Sequence, residues 1–133
     1  MTILYGKKIL VVDDEPLLRE ILVALIKEEG GEAVEATDGD EALLYFKDQV
    51  FDAVVSDIRM PNMSGIELAA AIRKINPIFP VIFLITGEAN LPKRSAEDLK
   101  VSAIVAKPCD IFLLLDNLVK AMTSLSTQAI FKK

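Results

Sequence analysis

Ile9-Leu10-Val11-Val12-Asp13-Asp14-Glu15-Pro16 is the stretch that decides the fold. Its opening apolar run, unbroken by polar alternation, reads as a strand buried on both faces, and such strands belong to parallel sheets. Pro16 suits the first turn of a helix, where a missing N–H costs nothing. Beyond it Leu17, Leu18, Ile21, Leu22, Leu25 and Ile26 recur at helical spacing until Gly30 and Gly31 stop the helix. A strand, a pair of carboxylates and a helix therefore follow one another in that order.

The same alternation continues along the chain. Ala33 to Ala36 is a weaker strand, and Asp38 with Glu41 opens a second helix carrying Ala42, Leu43 and Phe46. Asp52 to Ser56 is a third strand with Asp57 at its end. Ser64 and Glu67 form a capping box for a helix with Leu68, Ala69 and Ile72 on one side. Val81 to Ile85 is the most β-prone run, and Thr86 follows it. Gly87 to Lys100 is polar, contains Pro92, and is a poor helix. Ala103 to Ala106 is the fifth strand, ending at Lys107. After Pro108, residues Ile111, Leu114, Leu115, Leu118 and Met122 define a last amphipathic helix. Residues 1–123 read as one domain, and 124–133 as a frayed tail or the start of a linker. Strands alternating with helices imply an α/β domain, a parallel sheet with helices on both faces.

Composition narrows the function. A chain of 133 residues fits one compact core. The hydrophobic share of 52% and charged share of 26% are those of a globular protein. No apolar run reaches bilayer length and no signal peptide is visible, which points to the cytoplasm with no membrane partner. The single Cys109 excludes an intrachain disulfide. A net charge of −5 argues against direct nucleic-acid binding. The chain has no histidine, so it cannot itself be a histidine kinase or a histidine phosphocarrier.

Open parallel sheets bind ligands outside the carboxyl ends of their strands. Asp13 and Asp14, Asp57, Thr86 and Lys107 all fall at that edge. Carboxylates held together repel, and a hard divalent cation such as Mg²⁺ resolves the repulsion. An Asp can act as a nucleophile toward phosphorus, with Lys107 as a point charge and Thr86 as a hydrogen-bond donor to the phosphoryl oxygens. Each residue alone has an ordinary role: Asp13 or Asp14 as a helix cap, Asp57 and Thr86 as turn residues, Lys107 as a solvated lysine, Cys109 as a small buried apolar group. Their coincidence at matching strand ends is what favours a phosphate site.

Val11-Val12-Asp13-Asp14-Glu15-Pro16, then Asp57-Ile58-Arg59-Met60-Pro61-Asn62-Met63-Ser64-Gly65, then Thr86-Gly87 and Lys107-Pro108 resemble the receiver domain of bacterial two-component response regulators. The resemblance spans roughly Lys7 to Met122. It implies a flavodoxin-like, doubly wound five-stranded sheet of order 2-1-3-4-5. It implies Mg²⁺ held by Asp14, Asp57 and the carbonyl of Arg59, with Asp13 assisting, and phosphorylation of Asp57 by a phosphohistidine. Thr86 and Lys107 would bind the phosphoryl oxygens, and Lys107–Pro108 would be cis. The implied partners are a sensor histidine kinase or a histidine phosphotransfer protein, and an output domain or protein that the sequence does not name.

Three positions depart from the family pattern. Ile104 stands where a switching Tyr or Phe is common, Cys109 where Phe is common, and the segment around Pro92 is short. With no ring at 104, the sequence predicts that activation acts through Gly87 to Lys100. Arg59 and Glu88, each two residues beyond a site residue, are expected to flank the pocket and tune phosphoryl lifetime. Two other functions remain open at this point: an adaptor that is never phosphorylated, and a Mg²⁺-dependent phosphatase. The latter lacks a general acid two residues after Asp57, where Arg59 sits.

Overall fold

A computed structural model describes residues 3–87 and 96–131, with side chains as far as Leu125. The strands are β1 (Lys8–Val12), β2 (Glu32–Ala36), β3 (Ala53–Asp57), β4 (Val81–Thr86) and β5 (Ala103–Ala106). The helices are α1 (Pro16–Glu28), α2 (Gly39–Asp48), α3 (Gly65–Ile75), α4 (Ala96–Leu99) and α5 (Ile111–Phe131). All strand pairs are parallel, in the order β2-β1-β3-β4-β5. This is the flavodoxin-like, doubly wound arrangement.

Strand periodicity divides the core in two. Ile9, Val11, Ala53, Val55, Phe83 and Ile85 face one side, where they pack with residues of α1 and α5. Leu10, Val12, Val54, Ile82 and Leu84 face the other, with residues of α2 and α3 and with Leu99. Successive side chains point to opposite faces, so a strand covered on both sides must be apolar throughout. That is why β1, β3 and β4 were readable as uninterrupted runs.

The helix starts follow the expected chemistry. Pro16 opens α1, Asp38 Oδ1 accepts from the Glu41 N–H, and Ser64 and Glu67 complete a reciprocal capping box. Four details differ from the sequence reading. Asp57 and Thr86 are the last residues of β3 and β4 rather than residues beyond them, because their backbones still pair in register with Ile85 and Ala106. In α1 the buried residues are Leu22, Val23 and Ile26, while Leu17 and Ile21 are exposed. Helix α5 continues past Ser124 to Phe131. The peptide Phe79–Pro80 is cis as well as Lys107–Pro108.

Between Gly87 and Lys100 the described part is the single turn Ala96–Leu99, anchored by buried Leu99. Glu88, Leu91 and Pro92 lie outside the described residues. The end of that turn is tied to α3, since Arg73 Nε donates to the Lys100 carbonyl at 2.7 Å and Arg73 Nη2 to the Pro80 carbonyl at 2.8 Å. Among the described residues, no helix is long and apolar enough to cross a membrane.

Candidate functional site

The carboxyl edge of the sheet gathers the reactive side chains because the register brings their strands to an end together. Val12 of β1 lies opposite Ser56 of β3, Asp57 opposite Ile85 of β4, and Thr86 opposite Ala106 of β5. One step beyond these pairs stand Asp13 and Lys107. The loop ends are fastened to the sheet: the Ile58 N–H donates to the Ile85 carbonyl at 2.9 Å, and the Lys107 N–H to the Thr86 carbonyl at 2.7 Å.

Asp13, Asp14 and Asp57 offer carboxylate oxygens that all lie within 4.8 Å of one another. Asp13 and Asp57 are buried, whereas Asp14 is exposed at the mouth. Lys107 Nζ reaches into this cluster, 3.2 Å from Asp57 Oδ2 and 3.9 Å from Asp13 Oδ2. Thr86 is buried at the end of the neighbouring strand, and Arg59 is exposed. Asp14 and Arg59 line one depression beside the cluster, while Glu15, Gly87, Lys107 and Cys109 line another. All five of Asp13, Asp14, Asp57, Thr86 and Lys107 therefore stand at one edge of the sheet, with Arg59 on its rim.

The electrostatics are those of crowded acids around one ammonium. Burial pushes the Asp13 carboxyl above its ordinary range, opposed by the hydrogen bond from the Glu15 N–H and by the charge of Lys107. Burial alone would lower the Lys107 pKa. The charges of Asp57 and Asp13 and the hydrogen bond to Asp57 outweigh it, so Lys107 is held above its usual value. Among the described residues, Lys107 is paired with Asp13 and Asp57 of a cluster that gathers three carboxylates. An all-oxygen donor set of this kind suits a hard divalent cation such as Mg²⁺ in preference to a softer metal.

The capping role open to Asp13 is partly filled. Its Oδ1 accepts from the Glu15 N–H at 2.8 Å, while Glu15 itself stands at the N-cap without a side-chain cap. Several supporting residues escape a search for reactive groups. Ser56 Oγ donates to the Asp57 carbonyl at 2.9 Å. Gly65 packs directly beneath that carbonyl, where a β-carbon would have no room. Arg19 Nη1 donates to the Asp13 carbonyl at 2.6 Å. Asn62, at φ 70°, reaches from the β3–α3 loop to Asp38 at the start of α2. The one sequence signal for Arg19 is a long cationic side chain early in α1, just beyond the carboxylate pair.

Comparison with known proteins gives consistent results. Residues 9–119 match the response regulator receiver domain family. The chain is 37% identical over 103 residues to the transcriptional regulatory protein GlrR of Escherichia coli, covering 77% of this chain and 23% of that protein. It is 35% identical over 116 residues to the CAI-1 autoinducer sensor kinase/phosphatase CqsS of Vibrio cholerae, covering 84% of this chain and 17% of that protein. Among solved structures, the response regulator TrrA of Thermotoga maritima, in complex with Mg²⁺ and BeF, superposes with a TM-score of 0.77 at 36% identity, covering 86% of this chain and 98% of that one. The chain thus spans less than a quarter of the length of these two curated relatives.

Proposed function

The chain belongs to the response regulator receiver domain family, and on that premise we propose that it is a phosphoacceptor switch in which Asp57 takes a phosphoryl group from a phosphohistidine of a sensor kinase or a histidine phosphotransfer protein. The observation that carries the proposal is the convergence of Asp13, Asp14 and Asp57 with Lys107 Nζ at 3.2 Å from Asp57. A carboxylate oxygen of Asp57 attacks phosphorus, the P–O bond forms as the P–N bond to the donor imidazole breaks, and the imidazole leaves with the electron pair. The Lys107 ammonium faces the incoming phosphoryl oxygens, and the Thr86 hydroxyl donates to them. Asp13, Asp14, Asp57 and the Arg59 carbonyl would hold Mg²⁺, which neutralises the charge gathered on the phosphoryl group. The Mg²⁺–BeF complex of the relative TrrA supports this reading, since beryllofluoride mimics a phosphoryl group.

A receiver is a signalling element rather than a turnover enzyme, and its output is a shift between two arrangements of one surface. Ile104, partly buried against the α2 and α3 side of the core, has no ring to swing inward. The proposed reading face is therefore the one formed by the described turn Ala96–Leu99 with β5 and α5. Its partner is an output domain or protein, and nucleic acid is not bound by this chain directly. The chain works in the cytoplasm, where its phosphodonors reside.

Incubation with acetyl phosphate and Mg²⁺, followed by intact-mass measurement over time, tests the function. A retained single phosphoryl group is the expected result. No incorporation would identify an unphosphorylated adaptor, and rapid turnover with release of inorganic phosphate would identify a phosphatase.

The cation site yields a second expected outcome with opposite signs at two positions. Asp14→Asn removes a ligand and should weaken Mg²⁺ binding by at least about tenfold. Lys107→Ala should tighten it, because Lys107 Nζ lies within 4 Å of the Asp13 and Asp57 oxygens and its charge opposes a cation there. Isothermal titration with Mg²⁺ reads both. Weaker binding by Lys107→Ala would contradict the assignment.

A further inference from the structure

We propose that Arg19 is a positioning residue for the cation-binding carboxylates, holding the peptide group between Asp13 and Asp14 in the orientation that sets both side chains. The proposal rests on the reading of Asp13, Asp14 and Asp57 as a Mg²⁺ site. Its starting point is how completely Asp13 is tied. Its N–H donates to the Ala36 carbonyl of β2 at 3.1 Å, its Oδ1 accepts from Glu15, and its Oδ2 faces Lys107. The carbonyl is the remaining polar group, and it accepts from Arg19 Nη1 at 2.6 Å.

That carbonyl belongs to the same rigid peptide plane as the Asp14 N–H. Turning the plane swings the Asp14 side chain, which leaves the strand just where the chain bends toward α1. Arg19 is itself held. Its Nε pairs with Glu35 Oε1 of β2 at 3.0 Å, and its side chain is only 14% exposed. The planar guanidinium fork thus spans the end of β1, the first turns of α1 and the end of β2 with two donors in fixed relation. Groups that orient metal ligands commonly change metal affinity by tenfold or more when removed.

The sign of the effect separates positioning from simple charge. Arg19 is a cation close to an acidic cluster, so by Coulomb's law alone its removal should tighten Mg²⁺ binding. A purely structural brace would lower thermal stability and leave the affinity of the folded protein unchanged. Positioning predicts weaker binding.

The test is Mg²⁺ titration by calorimetry on wild type, Arg19→Met, Arg19→Lys and Asp14→Asn, each checked for folding by circular dichroism. Arg19→Met keeps an unbranched side chain of related length and should bind Mg²⁺ about tenfold more weakly. Arg19→Lys retains one donor for the Asp13 carbonyl and should recover part of the loss. Unchanged or tighter binding in folded Arg19→Met, with Asp14→Asn clearly weakened, would overturn the positioning role and leave the cation site standing. Absence of Mg²⁺ binding in wild type would overturn both. If Arg19→Met does not fold, Arg19→Leu, which also lacks a donor for the Asp13 carbonyl, binding Mg²⁺ as tightly as wild type would overturn the proposal.

Discussion

Gly65→Ala is expected to destabilise the domain by about 3 kcal/mol or more, the upper end for overpacking a filled interior. For a domain of this length that corresponds to a fall in Tm of roughly 10 °C. Gly65 opens α3 in the turn after Ser64, and its N–H donates to the Ile58 carbonyl at 2.8 Å. A β-carbon there would meet the backbone of Asp57 and Ile58. Backbone cannot rotate aside as a flexible side chain can, so either the start of α3 or the Asp57 peptide must move. The second response would also displace the Asp57 carboxylate, and phosphoryl uptake should fall with stability. Gly87→Ala is the control. Its β-carbon would stand 3.5 Å from Lys107 Cδ, an ordinary contact, and should cost little. A thermal melt in which Gly65→Ala matched wild type would contradict this packing.

Much of this arrangement was legible in the sequence, for reasons that can be stated residue by residue. Strands β1, β3 and β4 are covered on both faces, so their runs of Val, Ile and Leu carry a signal that needs no context. Reactive side chains were legible because parallel strands deliver them to one edge. What escaped was set by contacts across the chain. Asp57 and Thr86 were placed just beyond their strands because polar side chains usually end strands, yet their backbones remain in register with β4 and β5. Leu17 and Ile21 fit the apolar spacing of α1, but the helix is rotated so that Leu22, Val23 and Ile26 meet the sheet. Arg19 carried no sequence signal for its role beyond its charge, since its acceptors are a backbone carbonyl and a carboxylate on β2 that no local pattern announces. Residues from Ser124 onward read as a frayed tail, whereas the helix runs on to Phe131. The cis Phe79–Pro80 peptide had no marker beyond the proline itself.

The largest expected effect belongs to Asp57→Asn, which should abolish phosphoryl uptake. The substitution is nearly isosteric and keeps a hydrogen-bond acceptor for Lys107, so the buried site should still fold. It replaces a charged oxygen nucleophile with a neutral amide that cannot form the acyl phosphate. Asp13 and Asp14 remain as carboxylates, but neither occupies the end of the central strand β3 with Lys107 Nζ at 3.2 Å. The decisive measurement is intact mass after incubation with acetyl phosphate, for wild type and Asp57→Asn, each with Mg²⁺ and with excess chelator. One added phosphoryl group is expected on wild type with Mg²⁺ and none in the other three samples. Equal uptake by Asp57→Asn, or uptake by wild type undiminished by chelator, would contradict Mg²⁺-dependent phosphorylation of Asp57.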